Sequence, residues 1–92
     1  MIFNFEWDAA KATRNVRHHG VSFDEAVTVF GDALAVTFAD TDHSASEDRS
    51  RTYGMSGKGR LLVVVHTERP NNVRIISARK AIRHEQIIYR QG

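Results

Sequence analysis

The chain has 92 residues, 41% of them hydrophobic, enough for one core and too few for two. That content excludes a disordered chain; no apolar run approaches the ~20 residues of a membrane span, and Met1 to Trp7 lacks the basic and apolar regions of a secretory signal. Cysteine is absent, which removes disulfides and thiolate metal sites, and the net charge is +2 with a pI of about 9.4. A single cytoplasmic domain over residues 1–92, with no membrane association, is expected. The charge is uneven: Asp40, Asp42, Glu47 and Asp48 cluster without a cation, whereas the chain from Arg49 onward is strongly basic. Such a surface suits nucleic acid or an acidic partner.

In chain order, Phe3, Phe5 and Trp7 alternate with Ile2, Asn4 and Glu6 and predict a first strand with one strongly apolar face. Asp8 is placed to cap a helix over Ala9 to His19, closed by Gly20. Ser22-Phe23-Asp24-Glu25 spells a capping box, in which Ser22 bonds forward to the Glu25 backbone and Glu25 reaches back. Phe23, Ala26, Val27 and Phe30 follow at the spacing of one buried helical stripe, ended by Gly31. Leu34 to Phe38 reads as a second strand, residues 40–48 as a polar loop and Arg49 to Ser56 as a third strand. A Ser56–Gly59 turn leads to Leu61–His66, a central strand apolar on both faces. A turn around Pro70 leads to a fifth strand, Val73 to Ser77.

Ser77 then looks like the N-cap of a last helix, Ala78 to Arg90. That places Arg79 and Lys80 at the positive end of a helix, which makes electrostatic sense only if an anion sits between them. A carboxylate of the chain or a bound phosphate would serve. The order β-α-α-β-β-β-β-α predicts an α+β fold, a mainly antiparallel five-strand sheet with its helices against one face.

Several side chains are candidates for chemistry. Arg49, Arg51 and Tyr53 share one side of the third strand and suit a phosphate with an adjacent base; equally, they suit a solvated face paired with Glu47 or Asp48. His66, ending the central strand, fits a general acid or base as well as a buried hydrogen-bonded group. His43 lies in the polar loop, and His18-His19 complements a helix C-terminus. The histidines lack paired ligand spacing, so no metal site and no cofactor are expected.

Taken together, Phe5-Glu6-Trp7-Asp8, Lys11-Ala12, Asn15, His19 through Ala26, and Val29-Phe30 resemble the BrnT toxins of bacterial type II toxin–antitoxin systems. So do Asp42-His43-Ser44, Glu47-Asp48-Arg49, Gly59 through Val64, His66-Thr67, Arg69, and Arg74 through Ala81 with Glu85 and Tyr89. The resemblance spans almost the whole chain; it departs at His18, where lysine usually precedes the His-Gly pair. It implies a RelE-like ribonuclease fold, RNA cleavage that arrests translation, and neutralisation by a BrnA-type antitoxin with a ribbon-helix-helix part. Operator DNA would be bound only through the complex.

A metal-independent ribonuclease uses the 2′-hydroxyl as nucleophile and needs a base, an acid and cations for the phosphorane. Arg49, Arg51 and Arg79 are expected around the phosphate, with His66 as acid or base and Glu47 and Tyr53 behind it. Arg69, Lys80, Arg74 and Arg60 are expected to contact RNA. A non-catalytic basic adaptor, binding an acidic partner or nucleic acid and cutting nothing, is the competing reading.

Overall fold

In the computed structural model, which describes residues 4–40 and 48–92, five strands form one sheet in the order β1-β5-β4-β3-β2. The strands are β1 (Asn4–Glu6), β2 (Val36–Ala39), β3 (Ser50–Met55), β4 (Leu61–Glu68) and β5 (Asn72–Lys80). Neighbours β2 through β5 pair antiparallel, and β1 joins the edge of β5 in parallel. The helices are α1 (Ala9–His19), α2 (Phe23–Thr28, continued by a 3-10 turn at Val29–Gly31) and α3 (Arg83–Gln91).

The local signals of the first half act as expected. Asp8 accepts the Lys11 N–H at 3.0 Å, and Gly20 closes α1 at φ 68°, where a side chain would be strained. Ser22 accepts the Glu25 N–H at 3.0 Å. Glu25, however, does not reach back. Its buried carboxylate accepts from Ser56 Oγ at 2.7 Å and from both Nε and a terminal nitrogen of Arg60. A charged donor on the β3–β4 turn offers a buried carboxylate more than one backbone amide does.

Val21, Phe23, Ala26 and Val29 pack on Leu62, Val64, Val73, Ile75 and Ala78, with Phe5 against Phe30 and the edge of Trp7 against Phe23. Each large side chain so buried contributes about 1.5–3 kcal/mol. Phe3 lies outside the described residues. Gly54 is required by this packing, since a Cβ there would lie 2.6 Å from Val29 Cγ1. Leu34 is exposed, because Asp32 accepts its N–H in a turn and β2 starts only at Val36.

Two expectations are corrected at the C-terminal end. Ser77 caps no helix: β5 continues through Lys80, with Ala78, Arg79 and Lys80 opposite Val64, Val63 and Leu62. The long central strand offers backbone partners to a segment whose own propensity is ambiguous, and pairing wins. Arg79 and Lys80 are therefore strand residues, and the helix-dipole argument for them falls. The helix begins at Arg83, where Glu85 accepts the Ile82 N–H at 2.9 Å.

The helices also do not share one face. Ala78 belongs to the core under α1 and α2, so its neighbour Arg79 points to the opposite side, where it meets Glu85 of α3. Val63 and Tyr53, which also face away from the main core, are buried on this second side. Tyr89 of α3 donates to Asp32 at 2.7 Å, and Asp32 also accepts the Met55 N–H.

The Glu25 cluster sets a pH dependence. The Arg60 hydrogen bonds, outweighing burial, hold the Glu25 carboxyl below its ordinary value of 4.5. A lowered folded pKa gives stability that is complete above the unfolded value and is lost as pH falls through the folded one. Glu25→Gln is expected to lower the melting temperature at pH 7 by roughly 5–10 °C and to flatten the loss of stability below pH ~4.5, read by thermal denaturation across pH.

Candidate functional site

The face opposite α1 and α2 carries Arg51 and Arg79. Alternation on β3 sends Arg51 and Tyr53 there, and the register sets them against Val65 and Val63 of β4, which face Ser77 and Arg79 of β5. A register shift opposite Val65 and His66 leaves Ile76 as an extra residue in β5. This bulge lets Ile75 and Ala78 both point into the core while Ser77 and Arg79 take the other face. The result is a cleft of about 310 Å³ lined by His19, Asp40, Arg49, Arg51, Val65, Ile76, Ser77 and Arg79.

Arg79 is fixed by a two-pronged bond to Glu85, 2.7 Å at each prong. Those bonds raise the already high Arg79 pKa; burial opposes them. Burial pushes the Glu85 carboxyl up, but Arg79 and the Ile82 N–H outweigh it and keep it below its ordinary value. Arg51 lies with its Nε 3.8 Å from Asp40 Oδ1, too far for a hydrogen bond. Its Nε–H is buried and without an acceptor among the described residues. A buried donor left without an acceptor is uncommon in a folded protein. The Arg51 guanidinium carbon lies 6.0 Å from the centre of the Tyr53 ring.

Arg49, Arg51 and Arg79 thus meet in one cleft, and none of the other described residues predicted for the site lines it. Tyr53 is buried and presents no open ring; an exposed aromatic is Phe38, cross-strand from Arg51 and 5.3 Å from the Tyr53 ring. His66 lies on the core face, 1% exposed, its Nε2 2.7 Å from Thr52 Oγ1 and its ring edge-on to Phe30. Burial lowers its pKa, Glu68 opposing, which keeps the ring neutral near pH 7. Arg60 is held by Glu25 and also donates to the Gly20 carbonyl. Arg74 pairs with Glu6 at 3.1 Å, and Arg69 lies 3.9 Å from the same carboxylate. Lys80 is exposed at the end of β5. Glu47 and His43 lie outside the described residues.

The residue that sequence reasoning missed is His19, the cleft's histidine. The available signal was Gly20: a left-handed residue ends α1 abruptly, so the side chain before it sits at the helix tip rather than along a face. Among the described residues no group of three or more metal-ligating side chains gathers, and no helix is long and apolar enough to cross a membrane.

Fold and charge define a small α+β protein with an arginine-lined cleft on one sheet face. Residues 7–85 match the family described as ribonuclease toxin, BrnT, of type II toxin–antitoxin systems. The fold is similar to the crystal structure of the ribonuclease toxin BrnT of Brucella abortus, with a TM-score of 0.68 and 20% identity, covering 89% of this chain and all of that one. No curated protein matches. The chain belongs to the BrnT family of ribonuclease toxins of type II toxin–antitoxin systems.

Anion binding at the cleft is directly measurable. Inorganic phosphate should raise the melting temperature of the wild type in a concentration-dependent way and should do so much less for Arg51→Ala. Equal shifts in both would place the anion elsewhere.

Proposed function

We propose that the cleft is the RNA-cleaving site and that it works without a metal ion. The observation that carries this is the convergence of Arg49, Arg51 and Arg79 with His19 in one cleft, away from Arg60 and Arg74, which lie at Glu25 and Glu6 on other parts of the fold. The arginines hold the non-bridging oxygens of a phosphodiester and stabilise the extra negative charge of the phosphorane. The 2′-hydroxyl attacks phosphorus and loses its proton, the bond to the 5′-oxygen breaks, and that oxygen gains a proton. The products are a 2′,3′-cyclic phosphate and a 5′-hydroxyl. His19 serves as one of the two proton-transfer groups. Phe38 offers a base a stacking surface beside Arg51. His66, on the far face, has a structural role.

Within a type II pair the toxin is restrained by its antitoxin. We assign a BrnA-type partner with a ribbon-helix-helix part, on the resemblance along the chain; translation arrest follows from RNA cleavage, and operator DNA is contacted only through the complex. The basic adaptor is the competing reading, and cleavage separates the two.

Purified wild type is expected to cut RNA in excess EDTA and to leave cyclic phosphate ends. Arg51→Ala should lower the rate by about 100-fold or more. His19→Ala should lower kcat by a similar factor, whereas His66→Ala should mainly lower stability, by roughly 2–4 kcal/mol. Intact RNA with well-folded wild type would establish the adaptor. EDTA-sensitive cutting would remove the metal-free mechanism.

A further inference from the structure

The cleft does not end at His19. A second cleft of about 170 Å³ runs along α1, lined by Lys11, Arg14, Asn15 and His18, and it shares His19 and Ile76 with the first. The spacing i, i+3, i+4, i+7 puts these four side chains of α1 on one helix face. Asn15 fixes where that face stands. Its side-chain amide donates to the Ala78 carbonyl at 2.7 Å and accepts the Ala78 N–H at 3.2 Å, as a strand neighbour would. It can do so because β1 pairs with β5 only as far as Arg74, leaving the edge of β5 beyond that point without a strand. The helix is thereby docked against this edge, and its cationic face continues from the arginine cleft around the rim of the sheet.

The charges also differ in kind. Arg60, Arg69 and Arg74 lie within ion-pair distance of carboxylates of the fold. Lys11 and Arg14 are exposed, and among the described residues neither forms an ion pair; the carboxylate that feels both charges is Asp8, which is occupied with the Lys11 backbone N–H. From Lys11 to His18 the helix rises roughly 10 Å, the span of about three nucleotides of a stacked strand.

We propose that α1 is a second RNA subsite, in which Lys11, Arg14 and His18 hold the phosphates of the strand flanking the scissile one as it leaves the cleft past His19 and Ile76. This rests on the arginine cleft being the RNA site. It moves the flanking contacts from the β1–β5 edge and the β3–β4 turn, where cations are paired, to α1.

Binding of 2′-O-methyl oligoadenylates, which cannot be cut, provides the test, using a short oligomer (about four nucleotides) and a longer one (about twelve). In the double variant Lys11→Gln/Arg14→Gln, affinity for the longer oligomer is expected to fall about 10-fold at low salt. The slope of log K against log salt should flatten by roughly 1.4, at about 0.7 for each phosphate of a single strand that is no longer neutralised. The short oligomer should bind nearly as before. Arg17→Gln removes a charge from the same helix outside this cleft and should change little, while Lys11→Arg/Arg14→Lys should retain binding. Equal losses for both oligomers, no loss for either, or an equal loss in Arg17→Gln would overturn the subsite. So would a double variant with unchanged RNA binding but weakened capture of a co-expressed antitoxin, which would make α1 a protein-docking face. Arg51→Ala should weaken both oligomers; if it weakens neither, the arginine cleft itself fails as the RNA site, a result distinct from failure of the subsite alone.

Discussion

The two-pronged bond between Arg79 and Glu85 ties the end of β5 to the first turn of α3, and much of the molecule's polarity follows from it. Glu85 is nearly buried and also accepts the Ile82 N–H that opens the helix. One carboxylate therefore starts α3, holds it on the sheet face opposite α1 and α2, and fixes the direction of a guanidinium at the cleft wall. A planar guanidinium gripped on one edge keeps its charge and a defined orientation, which is what a phosphate site needs from its cations. The pair is partly exposed, so its value lies less in net stability than in placement.

The same logic sorts the other arginines. Glu25 takes Arg60 and Glu6 takes Arg74, each pair joining segments far apart in sequence: α2 with the β3–β4 turn, and β1 with β5. These cations hold the fold together. The cleft contains Asp40 as well, yet at 3.8 Å from Arg51 Nε it leaves a buried N–H without an acceptor among the described residues. A basic composition thus resolves into cations paired at the sheet edge and the β3–β4 turn and cations, themselves partly paired, that line the cleft, a division that net charge alone does not reveal.

Much of the fold was legible because its first half is written in local signals. Asp8, Gly20 and Ser22 act within a turn of where they stand, and the apolar stripe of α2 and the aromatic alternation of β1 need no distant information. Family likeness is legible for the same reason, as a series of short segments in order. The end of β5 was not legible. Ser77-Ala78-Arg79-Lys80 has a cap residue followed by good helix formers, and only pairing with Val63 and Val64 makes it a strand. The far partners of Glu25 and Glu85 were equally out of reach, since a capping signature does not disclose a charge brought in by tertiary structure. His66 drew attention as a histidine at a strand end, yet alternation with Leu62 and Val64 puts it on the core face, and a strand apolar on both faces does not disclose which face the helices α1 and α2 cover.

The arginine side-chain Nε–H signals of the folded protein, followed by NMR as a non-cleavable 2′-O-methyl RNA is added, test the division of cations most directly. The Nε–H resonances of Arg49, Arg51 and Arg79 should shift with the added RNA, that of Arg51 most, while those of Arg60 and Arg74 should stay in place. Movement of Arg60 and Arg74 with Arg51 and Arg79 unchanged would contradict it, and the RNA site would then lie at the sheet edge and the β3–β4 turn rather than in the cleft.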